Sequence, residues 1–181
     1  MKENWDFAYT KLIGHEGGFT DDERDPGNKL PDGRKGCTNL GVTQRAWEDY
    51  INRQVTHDDM RALTPVLVKP FYKTLYWDKV RADDLPHGVD YAVFDTCVNS
   101  GPGRAALLLQ EAVDAKPDGA IGPMTLNAVR SHNKELLIKD YCKRRLAFME
   151  ALPTWKTYGA GWESRVKEVE AMALKLIPPA I

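Results

Sequence analysis

The sequence of 181 residues lacks any apolar run that approaches the ~20 residues of a membrane-spanning helix. Its first residues, Met-Lys-Glu-Asn-Trp-Asp, are not followed by the apolar core of a signal peptide. We therefore expect a protein that is made in the cytoplasm and is not stably inserted in a membrane. The length and the 43% of hydrophobic residues predict a folded protein of one domain or two small ones, and we expect a monomer.

A basic excess is also missing. The chain has 25 basic and 26 acidic side chains, which gives a net charge of −1, and neither half is strongly basic. Proteins that bind nucleic acid usually carry a basic face, so nucleic acid is not an expected partner.

Reactive side chains are scarce in ways that exclude several enzyme classes. The chain has only three serines, and none lies in a G-x-S-x-G turn of a serine hydrolase. His15-Glu16 begins like the zinc-protease motif H-E-x-x-H, but Phe19 stands where the second histidine is needed. No phosphate-binding loop is present. We therefore expect neither a metal nor an organic cofactor.

Three cysteines are an odd number, and no two of them form a C-x-x-C pair. This pattern is typical of reduced thiols rather than of a disulfide framework. Cys97 and Cys142 fall in apolar helical patterns and are interpreted as core residues. A cysteine peptidase built on Cys37 and a histidine remains an alternative.

The rest of the pattern is mostly helical and predicts a mainly α fold. Helix starts are marked by Thr43, by Thr56 with Asp59, and by Thr64 before Pro65. A kink is expected at Pro70. We expect helices over residues 3–15, 43–53, 56–63, 64–77, 89–99, 104–114, 122–130 and 134–151. The C-terminal helix is indicated by an apolar stripe at Trp162, Val166, Val169, Ala173 and Leu176.

Residues 20–41 interrupt this pattern. They are polar, rich in Asp, Gly and Pro, and predict a long loop with a short hairpin near residues 39–43. A second break near residues 82–88 is the only plausible seam. We therefore expect two lobes, residues 1–85 and residues 86–181, packed together as one compact unit with a cleft between them.

Glu16 is the most informative acid. Trp5, Tyr9, Leu12 and Glu16 share one face of the first helix, which places the carboxyl group at the edge of the core in the last turn. Desolvation and the negative end of the helix dipole should both raise the pKa of Glu16, as a general acid requires. Gly17 adds no side chain beside it and would leave room for a polymer. The alternative is an ordinary residue at a helix end.

Asp25 follows in the polar loop. A solvated aspartate there would stay ionised, and a protonated acid with a charged partner is the arrangement that glycosidases use. The alternative interpretation is a turn-forming aspartate before Pro26.

Short motifs in this region occur in a fixed order along the chain. They read Glu16-Gly17-Gly18-Phe19, Asp25-Pro26-Gly27-Asn28 and Thr38-Asn39-Leu40-Gly41-Val42-Thr43. Later motifs are Tyr72 with Tyr76-Trp77, Phe94-Asp95, Asn99-Ser100-Gly101-Pro102, Asp118-Gly119 through Thr125, and Gly161-Trp162 with Arg165-Val166. In these motifs the chain resembles the glycoside hydrolase 108 family of N-acetylmuramidases, which occur as phage endolysins and as secretion activator proteins. The second half resembles the peptidoglycan-binding region that accompanies this family.

The resemblance implies a lysozyme-like fold with a long active-site loop or small hairpin and a helical C-terminal lobe. It also implies hydrolysis of the β-1,4 bond between N-acetylmuramic acid and N-acetylglucosamine in peptidoglycan. Glu16 would be the general acid, and Asp25 and Thr38 would hold water or stabilise charge. One departure is an insertion, residues 29–36, before Thr38, whose Lys29, Arg34 and Lys35 would either touch acidic stem peptides or be merely solvated.

Further residues have two interpretations each. Tyr76 and Trp77 would stack on sugars or belong to the core, and Asn39 and Asn99 would bind N-acetyl groups or act as turn residues. Asp95 is expected to make a structural bond. Asp118-Gly119 through Thr125 predicts a turn and a helix start.

Rival functions are a lytic transglycosylase, which needs one glutamate only, and a non-catalytic peptidoglycan-binding or secretion-accessory protein. As a phage endolysin without a leader sequence, the protein would depend on a separate membrane-permeabilising holin.

Overall fold

A computed structural model describes residues 2–179, and helices dominate this part of the chain, which confirms the mainly α class. The helices are α1 (Trp5–His15), α2 (Gln44–Ile51), α3 (His57–Arg61), α4 (Pro65–Tyr72), α5 (Val89–Ser100), α6 (Pro102–Ala112), α7 (Pro123–Ser131), α8 (Lys134–Glu150) and α9 (Trp155–Lys175). Two short antiparallel strands, β1 (Thr38–Asn39) and β2 (Val42–Thr43), form a hairpin. Among the described residues, no helix is both long and apolar enough to cross a membrane.

The predicted helix starts are confirmed by their side-chain caps. The Thr43 hydroxyl accepts from the backbone N–H of Ala46 at 3.2 Å. Thr56 and Asp59 form a capping box in which each side chain binds the backbone N–H of the other. These bonds satisfy N–H groups that a helix leaves without partners in its first turn, so polar residues at these positions fix where helices begin.

The helix predicted over residues 64–77 does reach Trp77, but its last turn is not α-helical. The α-helical part, α4, ends at Tyr72, and Lys73–Trp77 continue as a wider π-helical turn. Pro70 lies inside α4 and has no N–H to donate, so the regular i to i−4 pattern is already broken there.

Two compact units make up the chain. The N-terminal unit is Tyr9–Thr74, and the C-terminal unit takes in the residues before Tyr9 and those from Leu75 onward. Residues 82–88, the predicted seam, fall inside the C-terminal unit, where Ala82, Leu85 and Val89 are buried. The assignment of functions to residues 1–85 and 86–181 stays a prediction.

The core of the C-terminal unit is built around α5, in which every residue from Val89 to Cys97 is buried. Trp5, Trp77 and Phe94 pack ring against ring, with centroids 5.3–5.6 Å apart. Asp95 lies in this core between two cations, 2.8 Å from Arg145 Nη1 and 2.9 Å from Arg165 Nη2. Burial opposes the ionisation of Asp95, but the two guanidinium groups outweigh it and lower its pKa. The predicted structural role of Asp95 is confirmed.

The three cysteines are free and buried. Burial raises the pKa of Cys97 and Cys142 to about 12, as expected of core residues. Cys37 has no exposed surface, and burial raises its pKa to about 11. A thiol that is buried and protonated is not a nucleophile, so the cysteine-peptidase alternative is wrong.

Candidate active site

The predicted hairpin is present and lies in the N-terminal unit. Leu40 and Gly41 connect β1 to β2, with φ angles of 52° and 75°. Positive φ at both central residues is typical of the two-residue turn that matches the twist of the flanking strands. On the other side of β1, Thr20 and Thr38 exchange two backbone hydrogen bonds of 2.8 Å, which ties the start of the long loop to the hairpin.

Glu16 lies directly after the last residue of α1 and is half-buried. Its carboxylate rests against the backbone of Gly41: a Cβ atom added there would lie 2.2 Å from Glu16 Oε2 and 2.6 Å from the hydroxyl oxygen of Tyr72. Only a glycine leaves space for both groups. The hairpin turn therefore contacts the Glu16 carboxylate directly, and this contact requires that residue 41 has no side chain.

Tyr72 completes this corner. Its hydroxyl donates to the carbonyl of Leu40 at 2.7 Å, and its ring lies 6.0 Å from that of Tyr9. The Tyr9 hydroxyl donates in turn to the carbonyl of Pro65, and burial raises the pKa of Tyr9 to about 12. Two tyrosine hydroxyl groups thus connect α1, α4 and the hairpin turn.

The sequence predicted no role for Gly41 or Tyr72, although both lie in the motifs in which the chain resembles the family. A glycine in a predicted hairpin was the available signal for Gly41. No signal in the sequence places Tyr72 beside Glu16, because the two residues are 56 positions apart.

The backbone beyond Glu16 is open. Gly17 and Gly18 are exposed, and a Cβ added at either position would meet no atom within 4 Å. Neighbouring side chains therefore do not crowd this segment, and contact of a polymer with Gly17 stays a prediction.

Asp25 and Thr38 lie at the other end of the hairpin. Asp25 is exposed, and one of its carboxylate oxygens accepts from the N–H of Gly27 at 2.8 Å, beside Thr43. Thr43 is the register partner of Thr38, whose hydroxyl donates to Asn28 Oδ1 at 2.8 Å. Since a strand rises roughly 3.3 Å per residue, this end lies roughly 7 Å along the strands from the turn that holds Glu16.

The insertion, residues 29–36, folds on itself and leaves Thr38 in the hairpin. Lys29 and Lys35 pair across it, and the Gly36 N–H donates to the Asn28 carbonyl at 2.7 Å. The Arg34 guanidinium binds both oxygens of Glu48, at 3.0 and 2.8 Å. Arg34 therefore anchors the insertion to α2, while Lys29 and Lys35 are exposed.

Asn39 and Trp77, two of the remaining predicted site residues, are both buried. Asn39 is buried, and its side-chain amide donates to the carbonyl of Met60 at 2.9 Å, so it supports the hairpin. Trp77 has no exposed surface, and its indole N–H donates to Asp83 at 2.8 Å. A ring without exposed surface cannot stack on a sugar, so the substrate-binding interpretation of Trp77 is wrong and the core interpretation holds.

Tyr76 and Asn99 are in the C-terminal unit, Tyr76 half-buried and Asn99 exposed in the last turn of α5. Sugar binding by Tyr76, Asn99 and Asn39 stays a prediction. In the described part of the chain, His, Cys, Asp and Glu side chains form no group of three that would hold a metal ion.

Comparison with known proteins fits this arrangement of acid, hairpin and helical second half. Residues 9–101 match the family described as Glycosyl hydrolase 108, and residues 104–167 match a Predicted Peptidoglycan domain. The solved structure of Brucella abortus SagA is 37% identical, with a TM-score of 0.86, and the match covers 99% of each chain. Comparison with curated proteins gives no match. The N-terminal match contains Glu16 and its whole hairpin, and with the similarity over the full length it shows that the chain belongs to the glycosyl hydrolase 108 family and is a glycoside hydrolase that acts on peptidoglycan.

Proposed function

We propose that the protein is an N-acetylmuramidase that hydrolyses the β-1,4 bond between N-acetylmuramic acid and N-acetylglucosamine, with Glu16 as general acid. The observation that carries this proposal is the position of the Glu16 carboxylate. It is half-buried against the Gly41 backbone, and the open backbone of Gly17 and Gly18 follows it. A carboxyl group in this position is fixed on one side and accessible to a long substrate on the other.

In the proposed reaction Glu16 donates its proton to the oxygen of the departing sugar as the glycosidic bond breaks. The positive charge that develops on the remaining sugar requires an anion or an activated water on the opposite side. Asp25 is exposed and uses one carboxylate oxygen for Gly27, so its other oxygen is available to such a water. Thr38, at the same end of the hairpin, is the second candidate to orient it.

The test is digestion of purified peptidoglycan with identification of the new glycan ends by mass spectrometry. Wild-type protein should release fragments with reducing muramic acid ends. Glu16→Gln keeps the size and polarity of the side chain but has no acidic proton to donate, and we expect the rate to fall at least 100-fold. Asp25→Asn should also reduce the rate. The matched control is Glu23→Gln, an exposed acid of the same loop that pairs with Lys35 and should keep full activity.

Each rival gives a different result. Anhydro-muramic ends would identify a lytic transglycosylase. Absence of release by the wild-type protein, with binding to the wall retained, would identify a binding or secretion-accessory protein. If reducing ends appear and Glu16→Gln still produces them, Glu16 is not the acid.

The configuration of the product distinguishes two roles for Asp25. An inverted anomer in nuclear magnetic resonance spectra of fresh product means that Asp25 activates water. A retained anomer means a covalent intermediate on the carboxylate.

We also propose that the enzyme acts in host-cell lysis as a phage or prophage endolysin, as a monomer that a holin releases to the wall. This role rests on the resemblance to endolysins of the family, and the similarity to SagA of Brucella abortus is equally compatible with a bacterial role.

A further inference from the structure

The buried stripe of α9 continues into an exposed aromatic surface. Val166, Val169 and Ala173 face the core of the C-terminal unit, with at most 3% of their surface exposed. The same face of the helix carries Trp162, Tyr158 and Trp155 in the turns before them, since these positions differ by three, four and seven residues. Tyr158 is 56% exposed and both tryptophans are partly exposed. We call Trp155, Tyr158 and Trp162 the aromatic stripe.

The three rings of the aromatic stripe form one continuous surface. The ring centroids of Tyr158 and Trp162 are 5.7 Å apart with planes inclined by 31°, and those of Trp155 and Trp162 are 6.2 Å apart with planes inclined by 47°. Gly159 makes this possible, because a Cβ atom there would lie 2.5 Å from the Trp155 ring. The indole therefore lies close against the helix backbone at Gly159.

Large exposed rings are unfavourable in water unless they serve a contact, and a row of them usually marks a binding surface. The three positions of the stripe bear no charge, whereas stem peptides carry charged groups that would need oppositely charged partners. The C–H faces of N-acetylated sugar rings are apolar and uncharged, and their size suits an aromatic ring. The stripe also lies within residues 104–167, which match the Predicted Peptidoglycan domain.

We propose that the aromatic stripe of α9 binds the glycan strand of peptidoglycan by stacking of sugar rings on Trp155, Tyr158 and Trp162. The proposal rests on peptidoglycan as the substrate and adds a binding site in the C-terminal unit. Binding there keeps the enzyme on the insoluble wall between cleavage events.

A different surface of the same unit offers the competing site. A groove of about 430 Å³ is lined by Asp118, Met124 and Thr125, among others. Its polar groups are used by the fold: the buried Gln110 side chain donates to Asp118 at 2.8 Å and to Thr125 at 3.1 Å, and accepts from the N–H of Gly119 at 2.9 Å. Met124 is 83% exposed in this groove and is not part of the aromatic stripe, so its substitution tests the groove alone.

The experiment measures co-sedimentation of the full chain with purified insoluble peptidoglycan, in a Glu16→Gln background that leaves the wall intact. We expect Tyr158→Ala and Trp162→Ala each to weaken binding about tenfold, which corresponds to about 1.4 kcal/mol. Gly159→Ala keeps all three rings but displaces Trp155, and should weaken binding as well. Trp162→Phe restores a ring and should recover part of the affinity.

Met124→Ala is the matched control and should bind as the parent does. A soluble N-acetylglucosamine oligomer should compete for the parent protein, and a free stem peptide should not. Circular dichroism confirms that each variant folds.

The proposal is overturned if the folded stripe variants bind like the parent, if Met124→Ala alone weakens binding, or if only the stem peptide competes. It is also overturned if the parent is a dimer in sedimentation velocity and Tyr158→Ala makes it monomeric, because the stripe would then join two copies. None of these outcomes depends on hydrolysis. A failure of the muramidase proposal appears separately, in the glycan ends released by the wild-type enzyme.

Discussion

At the scale of single residues, one glycine determines where the proposed acid lies. Gly41 has a φ of 75° and faces both the Glu16 carboxylate and the Tyr72 hydroxyl. A side chain at this position meets two obstacles, because L residues are strained at positive φ and because two polar groups already fill the space.

We expect Gly41→Ala to lower kcat about 100-fold, since a displacement of about 1 Å in a catalytic group has that effect. Initial rates on purified peptidoglycan, with circular dichroism to confirm folding, are the measurement. Gly33→Ala separates the two causes: Gly33 also has a positive φ, of 85°, but no atom lies within 4 Å of an added Cβ. Gly33→Ala should lose some stability and keep its activity. Equal losses of activity in both variants would mean that backbone strain, not contact with Glu16, explains the effect.

At the scale of elements, the insertion is an ordered part of the active-site loop. Glu48 on α2 accepts from Arg34, from Gln44 at 3.1 Å and from the N–H of Val55 at 3.0 Å. The hydrogen bonds of Arg34 are the largest cause that lowers the pKa of Glu48, from 4.5 to about 2. This contact connects the insertion to the helix that follows the hairpin.

The lowered pKa gives a direction for the dependence of stability on pH. The folded protein favours the ionised carboxylate, so this contribution is complete above pH 4.5 and is lost as the pH falls towards about 2. Because the guanidinium is partly exposed and screened by solvent, we expect only about 1 kcal/mol. Glu48→Gln should therefore be less stable than wild type at pH 6, with a smaller difference at pH 3, in urea denaturation.

Asp49→Asn is the control for this experiment. Asp49 is the neighbouring residue, 77% exposed and 4.0 Å from Arg45, and its substitution should change stability little at either pH. A Glu48→Gln variant whose loss of stability is the same at pH 3 and pH 6 would contradict the ionic role of Glu48.

At the scale of the whole molecule, the two family matches do not coincide with the two compact units. The Glycosyl hydrolase 108 match, residues 9–101, runs past the end of the N-terminal unit at Thr74 and takes in α5. The catalytic family is therefore defined by more of the chain than the unit that holds Glu16. The buried Asp95 lies in the first match, and its partners Arg145 and Arg165 lie in the second, all within the C-terminal unit. Removing one member of such a group leaves buried charge without compensation.

The proposed role in lysis predicts a dependence on a second protein. Expression of the chain inside a bacterial cell should leave the culture turbidity unchanged until a holin or a membrane-permeabilising agent is added, and turbidity should then fall within minutes. Glu16→Gln expressed to the same level is the control and should not lyse the culture. Lysis by the wild-type chain without permeabilisation would contradict the dependence on a holin.

Much of the local structure was readable from the sequence, because local rules decide it. Thr43, Thr56 and Thr64 cap helices through bonds within three residues of themselves. The helical repeat predicted Glu16 at the end of the apolar face of the first helix, and the structure places it directly after α1. The short hairpin followed from a glycine and the residues around it.

Only the tertiary structure decided what surrounds Glu16. Tyr72 reaches the hairpin turn from a helix far along the chain, and Gly41 is needed because of what faces it rather than because of its neighbours in sequence. Trp77 shows the same limit, since its apolar pattern fitted both a core ring and a sugar-binding ring until Trp5 and Phe94 were found around it. The sequence alone determined the helix that ends directly before Glu16, because helical spacing is a local property. Contacts between distant segments of the chain determined which residues surround Glu16, because burial and close approach depend on the whole fold.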